Sequence, residues 1–358
     1  MVGNFQLVLR YFCWALDHSG LNGVLTLKGP TGIIWILTGK CNLNCLHCYA
    51  SRFTKWGPEV DKEVVSRVLN EAIEMGLRWV NFSGGEVLIY KKWLFEIFKD
   101  LLDKKVYPSV VSNGTAITEE TARKLRGVYV YVSIDGPKHI HEQIRGAGTW
   151  NAVLRGINNL KKHGVEFAII MAINPLNYNK VIEVGELAYK LGASEFIIIP
   201  TMPFGMARET KLHIDWKNFL LSLHQMNYLL TLYEIRGGAW CAPWSRFIVR
   251  NKRFHAGNCR KQNTIDIGPD GSVMLCDVLD FRLGKVTKSS FKEVWLNYLN
   301  HPLVREIKRP RGHLCSKCPF FNECLGGCYA RALTERGTLE GDPLCPFLNE
   351  GFRILTRY

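Results

Sequence analysis

The chain has 358 residues, 47% hydrophobic and 22% charged, which excludes a disordered or fibrous protein and suits one large domain or two ordinary ones. No apolar run reaches the ~18 residues of a membrane span. The net charge of +14 favours acidic partners, but its cations are scattered in short groups such as "KKW", "DKK" and "IKRPRGH", a solubilising surface rather than a nucleic-acid face.

The first segment, "MVGNFQLVLRYFCWALDHSG", is apolar with Arg10 in its middle. It lacks the basic, apolar, small-residue order of a signal peptide. It reads as a helix docked on the body, with a membrane-surface helix as the alternative. From there, β-branched runs alternate with amphipathic stretches. Strands are expected at 33–38, 78–83, 108–113, 128–135, 166–174 and 195–200, and helices at 59–76, 91–105, 118–126, 150–163, 179–191 and 215–236. In "VVSRVLNEAIEMG" the apolar residues recur at three and four, and Gly76 stops the helix. Six consecutive strand–helix units predict a parallel sheet with right-handed crossovers, buried on both faces. In such sheets chemistry gathers at the C-terminal strand ends. The polar motifs "TGKC", "SGGE", "SNGT" and "SIDG" lie there. Beyond about 236 the chain becomes turn-rich and cysteine-rich. "TIDIGPDGSVMLCD" reads as a hairpin around Pro269, Asp270 and Gly271, and a helix follows at about 289–300. The expected division is an N-terminal extension (1–30), a strand–helix domain (31–236) and a cysteine-rich domain (237–358).

Twelve cysteines without a secretory signal point to metal rather than disulfides, and to the reducing cytoplasm. Cys41, Cys45 and Cys48 form a C-x3-C-x2-C loop after the first strand. Three readings compete for it: an iron–sulfur cluster with one iron left open, a zinc site with a distant fourth ligand, or buried structural cysteines. This triple, followed by "SGGE" on six strand–helix units, resembles the radical S-adenosylmethionine (SAM) superfamily.

The resemblance implies a partial (βα)6 TIM-like barrel. It also implies a [4Fe-4S] cluster whose open iron is chelated by the amino and carboxylate groups of SAM. Reductive cleavage would give methionine and a 5′-deoxyadenosyl radical that takes a hydrogen atom from substrate. By the same resemblance, Gly84, Gly85 and Glu86 bind the SAM amino group. Ser112, Asn113, Ser133 and Asp135 lie near its ribose and carboxylate, and Arg145 pairs with the carboxylate. Val87 stands where the family has proline, which should only loosen the turn. His47 stands where the family has an aromatic residue near the adenine, and is not expected to be an iron ligand. An external electron donor such as ferredoxin or flavodoxin is implied.

The later cysteines, Cys259, Cys276, Cys315, Cys318, Cys324, Cys328 and Cys345, resemble the SPASM extension of radical SAM enzymes. It is named for maturases of peptides and sulfatases. Two auxiliary [4Fe-4S] clusters follow from the resemblance. Cys315, Cys318, Cys324 and Cys345 would hold the outer one, and Cys259, Cys276 and Cys328 the inner one. The inner count stops at three. Cys241, His255 or an open iron could complete it. Cys13 has no partner and is expected in the core. A zinc ribbon in a nucleic-acid-binding module is the competing reading of these cysteines.

Asp277, directly after Cys276, matches an aspartate that removes a proton in sulfatase-maturing relatives, although Asp after Cys is also ordinary turn chemistry. "IIIPTMPFGMARE" (197–209) leaves the sixth strand and is either substrate-facing or a plain loop. The ~30 residues before the first strand are too few for a leader-peptide-binding domain. The first expectation is a maturase oxidising a peptide, a protein or a protein-bound cofactor. The second is a small-molecule enzyme removing tetrapyrrole side-chain carboxylates in a haem pathway. The third is a non-catalytic electron carrier, against which "SGGE" argues.

Overall fold

The computed structural model describes residues 29–351. The expected N-terminal helix, its membrane-surface alternative and Cys13 lie outside the described residues. Six units follow in chain order. They are β1 (Gly32–Thr38) with α1 (Lys62–Glu74), β2 (Trp79–Gly84) with α2 (Leu94–Asp103), and β3 (Tyr107–Ser112) with α3 (Glu119–Lys124). Then come β4 (Tyr129–Ser133) with α4 (Lys138–Arg145) and α5 (Thr149–Lys162), β5 (Phe167–Ile173) with α6 (Val181–Leu191), and β6 (Glu195–Pro200) with α7 (Trp216–Leu232). The strands pair in parallel in sequence order.

Local chemistry explains the elements. At α1, the Asp61 carboxylate accepts from the Val64 N–H at 2.9 Å and caps the helix. Val65, Val68, Leu69 and Ala72 bury one face of it. Burying a Val or Leu fully is worth about 1.5–3 kcal/mol. Helix α4 was not anticipated: "KHIHEQIR" carries only Ile140 and Ile144 as apolar residues, too few to show a period. Helix α7 ends at Leu232, earlier than expected, because Tyr233 turns extended to feed a seventh strand.

The sheet does not stop at six strands. β7 (Arg236–Ala239) pairs parallel to β6, and β8 (Phe254–Ala256) parallel to β7. On the other edge, β9 (Thr264–Ile267) pairs parallel to β1. β10 (Ser272–Met274) pairs antiparallel to β9, as the expected hairpin requires, and β11 (Arg282–Lys285), which was not expected, pairs antiparallel to β10. Among the described residues the order is β11-β10-β9-β1-β2-β3-β4-β5-β6-β7-β8, with β11 and β8 at the edges, so the barrel is partial. The boundary expected near 236 falls on the first residue of β7. The C-terminal third thus supplies strands to both edges of the sheet. "RGGA" carries no β-branched or aromatic residue, which hid β7 in the sequence.

The two sheet faces alternate as pleating demands. Ile33, Trp35, Val80, Phe82, Val110 and Val130 pack outward in the large core shared with the helices. Tyr131, Ala168, Ile170 and Ile197 form a separate cluster on the other face, with Val111, Ile199 and Trp240 beside them. After Ser290 caps it, helix α8 (Phe291–Asn300) leads into α9 (Pro302–Lys308), and α10 (Tyr329–Arg336) lies among the last cysteines.

Candidate active site and metal centres

The end of β2 is pressed onto the end of β1. Gly84 has φ +136°, and a Cβ there would stand 2.3 Å from the Thr38 carbonyl oxygen. A Cβ on Gly85 would stand 1.9 Å from the Lys40 carbonyl oxygen. Only glycines let the "SGGE" backbone approach the cysteine loop this closely. Glu86 then caps the short helix Val87–Tyr90 through the Leu88 N–H, so Val87 begins a helical turn without proline.

Glu86 is fully buried. The Ser112 hydroxyl donates to its carboxylate at 3.1 Å and the Asn113 N–H at 2.8 Å. Burial nevertheless pushes its pKa up to about 7. Ser112 and Asn113 therefore aim Glu86. The Asn113 amide also lies 3.8 Å from the Cys41 sulfur. Ser133 is buried at the end of β4.

Asp135 is tied to two side chains and one backbone amide. Its carboxylate takes the Arg145 Nε at 2.5 Å and the His47 Nε2 at 2.9 Å, and accepts from the Ala172 N–H at 2.8 Å. Burial opposes its ionisation, but Arg145 and His47 hold it well below the usual carboxylate range. Arg145 Nη1 lies 4.0 Å from the Cys45 sulfur. Asp135 thus holds Arg145 and His47 beside the loop.

Cys41, Cys45 and Cys48 sit within one another's electrostatic reach, with Arg145 close to all three. Burial pushes the Cys45 thiol up to about 11. Such thiols stay protonated alone and ionise when a cation enters the site. The loop therefore fits a three-thiolate cluster, with Glu86, Asn113 and Arg145 grouped beside it.

The C-terminal cysteines form two groups. Cys315, Cys318, Cys324 and Cys345 line one cavity of about 160 Å³. Burial pushes Cys315 up to about 11 and Cys324 up to about 12. Three buried thiols and the half-buried Cys318 around one cavity fit a four-iron cluster. In the second group, Cys328 lies in the electrostatic neighbourhood of Cys241, Cys259 and Cys276 alike. Cys241 adopts φ +55°, and its carbonyl accepts from Arg331 at 2.7 Å. His255 faces elsewhere, its Nδ1 lying 3.1 Å from Glu195.

Asp277 lies between the two sites. The Tyr49 hydroxyl, from the residue after Cys48, donates to its carboxylate at 3.1 Å. The Cys276 thiol is 3.6 Å from its other oxygen. Arg52 donates to the Asp277 carbonyl and pairs with Asp280 at 2.7 Å. Asp266, Cys276 and Asp277 bring one ligand atom each within 4.8 Å of one another. Burial and their mutual repulsion push the carboxyls of this pair up. Sequence reasoning missed Tyr49, Arg52 and Asp266. Tyr49 alone carried a signal, its place beside the third loop cysteine.

The radical SAM superfamily model matches residues 35–188, and an iron–sulfur cluster-binding (SPASM) model matches 259–319. The chain is 31% identical to the Fe-coproporphyrin III synthase of Methanosarcina barkeri, covering 89% of this chain and 88% of that protein. The chain belongs to the radical SAM superfamily. It is also 28% identical to the AdoMet-dependent heme synthase of the same species, over 89% of this chain and 97% of that one. It is 25% identical to the mycofactocin maturase MftC of Mycolicibacterium smegmatis, over 89% and 83%. A solved structure of anSMEcpe with bound AdoMet superposes with TM-score 0.68 at 23% identity, over 92% of this chain and 98% of that one, and shares the fold. This radical SAM/SPASM chain is thus an enzyme binding SAM and [4Fe-4S] clusters. Cys324, Cys328 and Cys345 lie past the matched SPASM span, and geometry alone groups them with the rest. Among the described residues, no helix is long and apolar enough to cross a membrane.

Proposed function

We propose that this enzyme oxidatively removes carboxylate carbon from tetrapyrrole side chains. The observation that carries this is the 31% and 28% identity to relatives named for Fe-coproporphyrin III and haem synthesis. Two features support it. Tyr131 and Trp240, ring centroids 4.9 Å apart and edge to face, place aromatic rings on the inner sheet face, the side-chain type that packs on flat ligands. The charge of +14 suits a substrate with several carboxylates.

When bound, a SAM-chelating cluster supplies the electron that splits the sulfonium and so generates the hydrogen-abstracting radical. Cys41, Cys45 and Cys48 would hold that cluster. Glu86, aimed by Ser112 and Asn113, would take the SAM ammonium, and Arg145, steadied by Asp135, its carboxylate. Gly84 and Gly85 would let SAM lie against the backbone, with Ser133 near its ribose. A propionate that loses a hydrogen atom and then carbon dioxide leaves a vinyl group and one electron. Four thiolates at each C-terminal site, with Cys241 as the fourth at the inner one, would close two auxiliary clusters as acceptors for that electron. Against the open-iron and His255 alternatives, Cys241 lies in the electrostatic neighbourhood of Cys328 and Cys259, and His255 Nδ1 lies 3.1 Å from Glu195. Asp277 would accept a proton beside the inner site. The first electron would come from a carrier such as ferredoxin or flavodoxin, in the cytoplasm.

The second reading, a peptide or protein maturase, is favoured by the 25% identity to MftC. The deciding experiment incubates the anaerobically reconstituted enzyme with SAM and dithionite plus either Fe-coproporphyrin III or candidate precursor peptides. The proposal expects 5′-deoxyadenosine with the tetrapyrrole and a product lighter by carbon dioxide and two hydrogens. Turnover with a peptide alone would replace it by the second reading.

A further inference from the structure

The buried guanidinium groups near the cysteines other than Arg260 have carboxylate partners, as Arg52 has in Asp280. Arg145 pairs with Asp135, and Arg331 grips Asp342 through Nε and Nη2, each at 2.8 Å. Arg260, directly after Cys259, has none among the described residues. It is 2% exposed. Its Nε donates to the Gly327 carbonyl at 2.9 Å, its Nη1 to the Ile307 carbonyl at 3.1 Å and its Nη2 to the Leu339 carbonyl. Its guanidinium carbon stands 5.4 Å from the Tyr329 ring centroid. Three carbonyls take three of its five hydrogens, and neither they nor the ring face cancel its charge.

An arginine cannot escape this position by losing a proton. A buried charge without a counter-charge is strongly unfavourable. The counter-charge must therefore lie in what the surrounding cysteines hold. Gly327 sits between Cys324 of the outer group and Cys328 of the inner one, and Arg260 lies in the field of Cys259 and Cys328 on the inner side and of Cys315 and Cys324 on the outer. Gly327 has φ +80°, and a Cβ there would come within 2.3 Å of Asp342 Cβ, so the carbonyl that anchors Arg260 has a fixed direction.

We infer that Arg260 is a fixed positive charge shared by the two auxiliary cluster sites, raising the reduction potential of both. It is a positioning and tuning residue, not a ligand. The inference rests on the reading that each group of four cysteines holds a cluster. A cluster held by four thiolates is anionic and becomes more so on reduction, so a neighbouring cation favours the reduced form. Both clusters then accept an electron from substrate more readily. Lys308, whose Nζ donates to the Cys259 carbonyl at 3.1 Å, adds a second cation on the inner side.

The test uses the full chain with Cys41, Cys45 and Cys48 replaced by alanine, so that only the C-terminal clusters titrate. Iron content and spectroelectrochemical titration compare this parent with Arg260→Met and Arg260→Lys. The parent should carry about eight irons; markedly fewer overturns the two-cluster reading and this inference with it. With both clusters loaded, Arg260→Met should shift both reduction equilibria at least tenfold toward the oxidised form, about 59 mV for one electron. Arg260→Lys should stay within threefold of the parent. Unchanged potentials in loaded Arg260→Met overturn the inference. If Arg260→Met fails to load while Arg260→Lys loads, charge is the requirement and the inference stands. If both fail, the carbonyl bonds matter instead and it falls.

Discussion

The first cysteine loop and the C-terminal cysteine region answer the same chemical need in opposite ways. The loop has three thiols in eight positions and beside them groups that bind no iron: Glu86, Asn113 and Arg145. The C-terminal region surrounds its cavity and its inner group with thiols and backs them with buried ions, Arg260, Arg331 and Asp342. One arrangement leaves room for a co-substrate; the other encloses whatever it holds. The difference teaches that a missing ligand is informative when polar groups of the right charge stand beside the gap.

Tyr49 and Arg52 join the two regions. Both follow the loop closely, and both reach the Asp277 segment, 3.1 Å away for the Tyr49 hydroxyl. Arg282 lies over the Trp56 ring at 3.8 Å and adds a further clasp. The two cysteine regions are held in register by short contacts.

The comparison breaks most sharply on Cys41, Cys45 and Cys48. Replacing all three by alanine should abolish SAM cleavage, measured as 5′-deoxyadenosine. Absorbance of the C-terminal clusters should survive, and iron should fall from about twelve per chain to about eight. Cys241→Ala reverses the pattern. SAM cleavage should persist while substrate oxidation is lost and the inner cluster's electron paramagnetic resonance signal changes. An unaltered signal would return the fourth position to an open iron.

Asp277→Asn should lower product formation about 100-fold, the usual scale of a lost acid–base group. Abortive 5′-deoxyadenosine should continue to form. Near-normal turnover would remove Asp277 from the chemistry.

The smallest effect falls on Glu86. Glu86→Gln should raise the KM for SAM about tenfold, by the loss of one charge-assisted contact. Its pH dependence is set by the raised pKa. The folded protein holds this proton up to about pH 7, whereas an unfolded chain releases it near 4.5. Without SAM, the stability due to Glu86 is therefore present at low pH and lost as pH rises from about 4.5 through 7. SAM affinity should run the other way, rising as the carboxylate forms. In Glu86→Gln both dependences should flatten, as seen in thermal unfolding and SAM titration across that range.

Much of this was legible in the sequence. Six β-branched runs marked six strands because a doubly covered parallel sheet demands continuous apolarity. The triple in "CNLNCLHC" and the "SGGE" glycines marked the loop site, since so short a stretch has few other uses for them. What stayed hidden depends on contacts distant in sequence. β7 is glycine-rich, and β9 finds its partner β1 more than 200 residues earlier. Asp135 reads as a strand-end polar group, and only the fold shows it holding Arg145 and His47. Arg260 looks like one more surface cation until its lack of a carboxylate partner is seen.

The account turns on the first loop being open to SAM and the C-terminal sites being closed. Electron–nuclear double resonance on the reduced enzyme, with SAM labelled with nitrogen-15 at its amino group, tests this directly. The account predicts hyperfine coupling from one cluster only, absent when Cys41, Cys45 and Cys48 are replaced. No coupling in the intact enzyme, or coupling that survives in the triple variant, would contradict it.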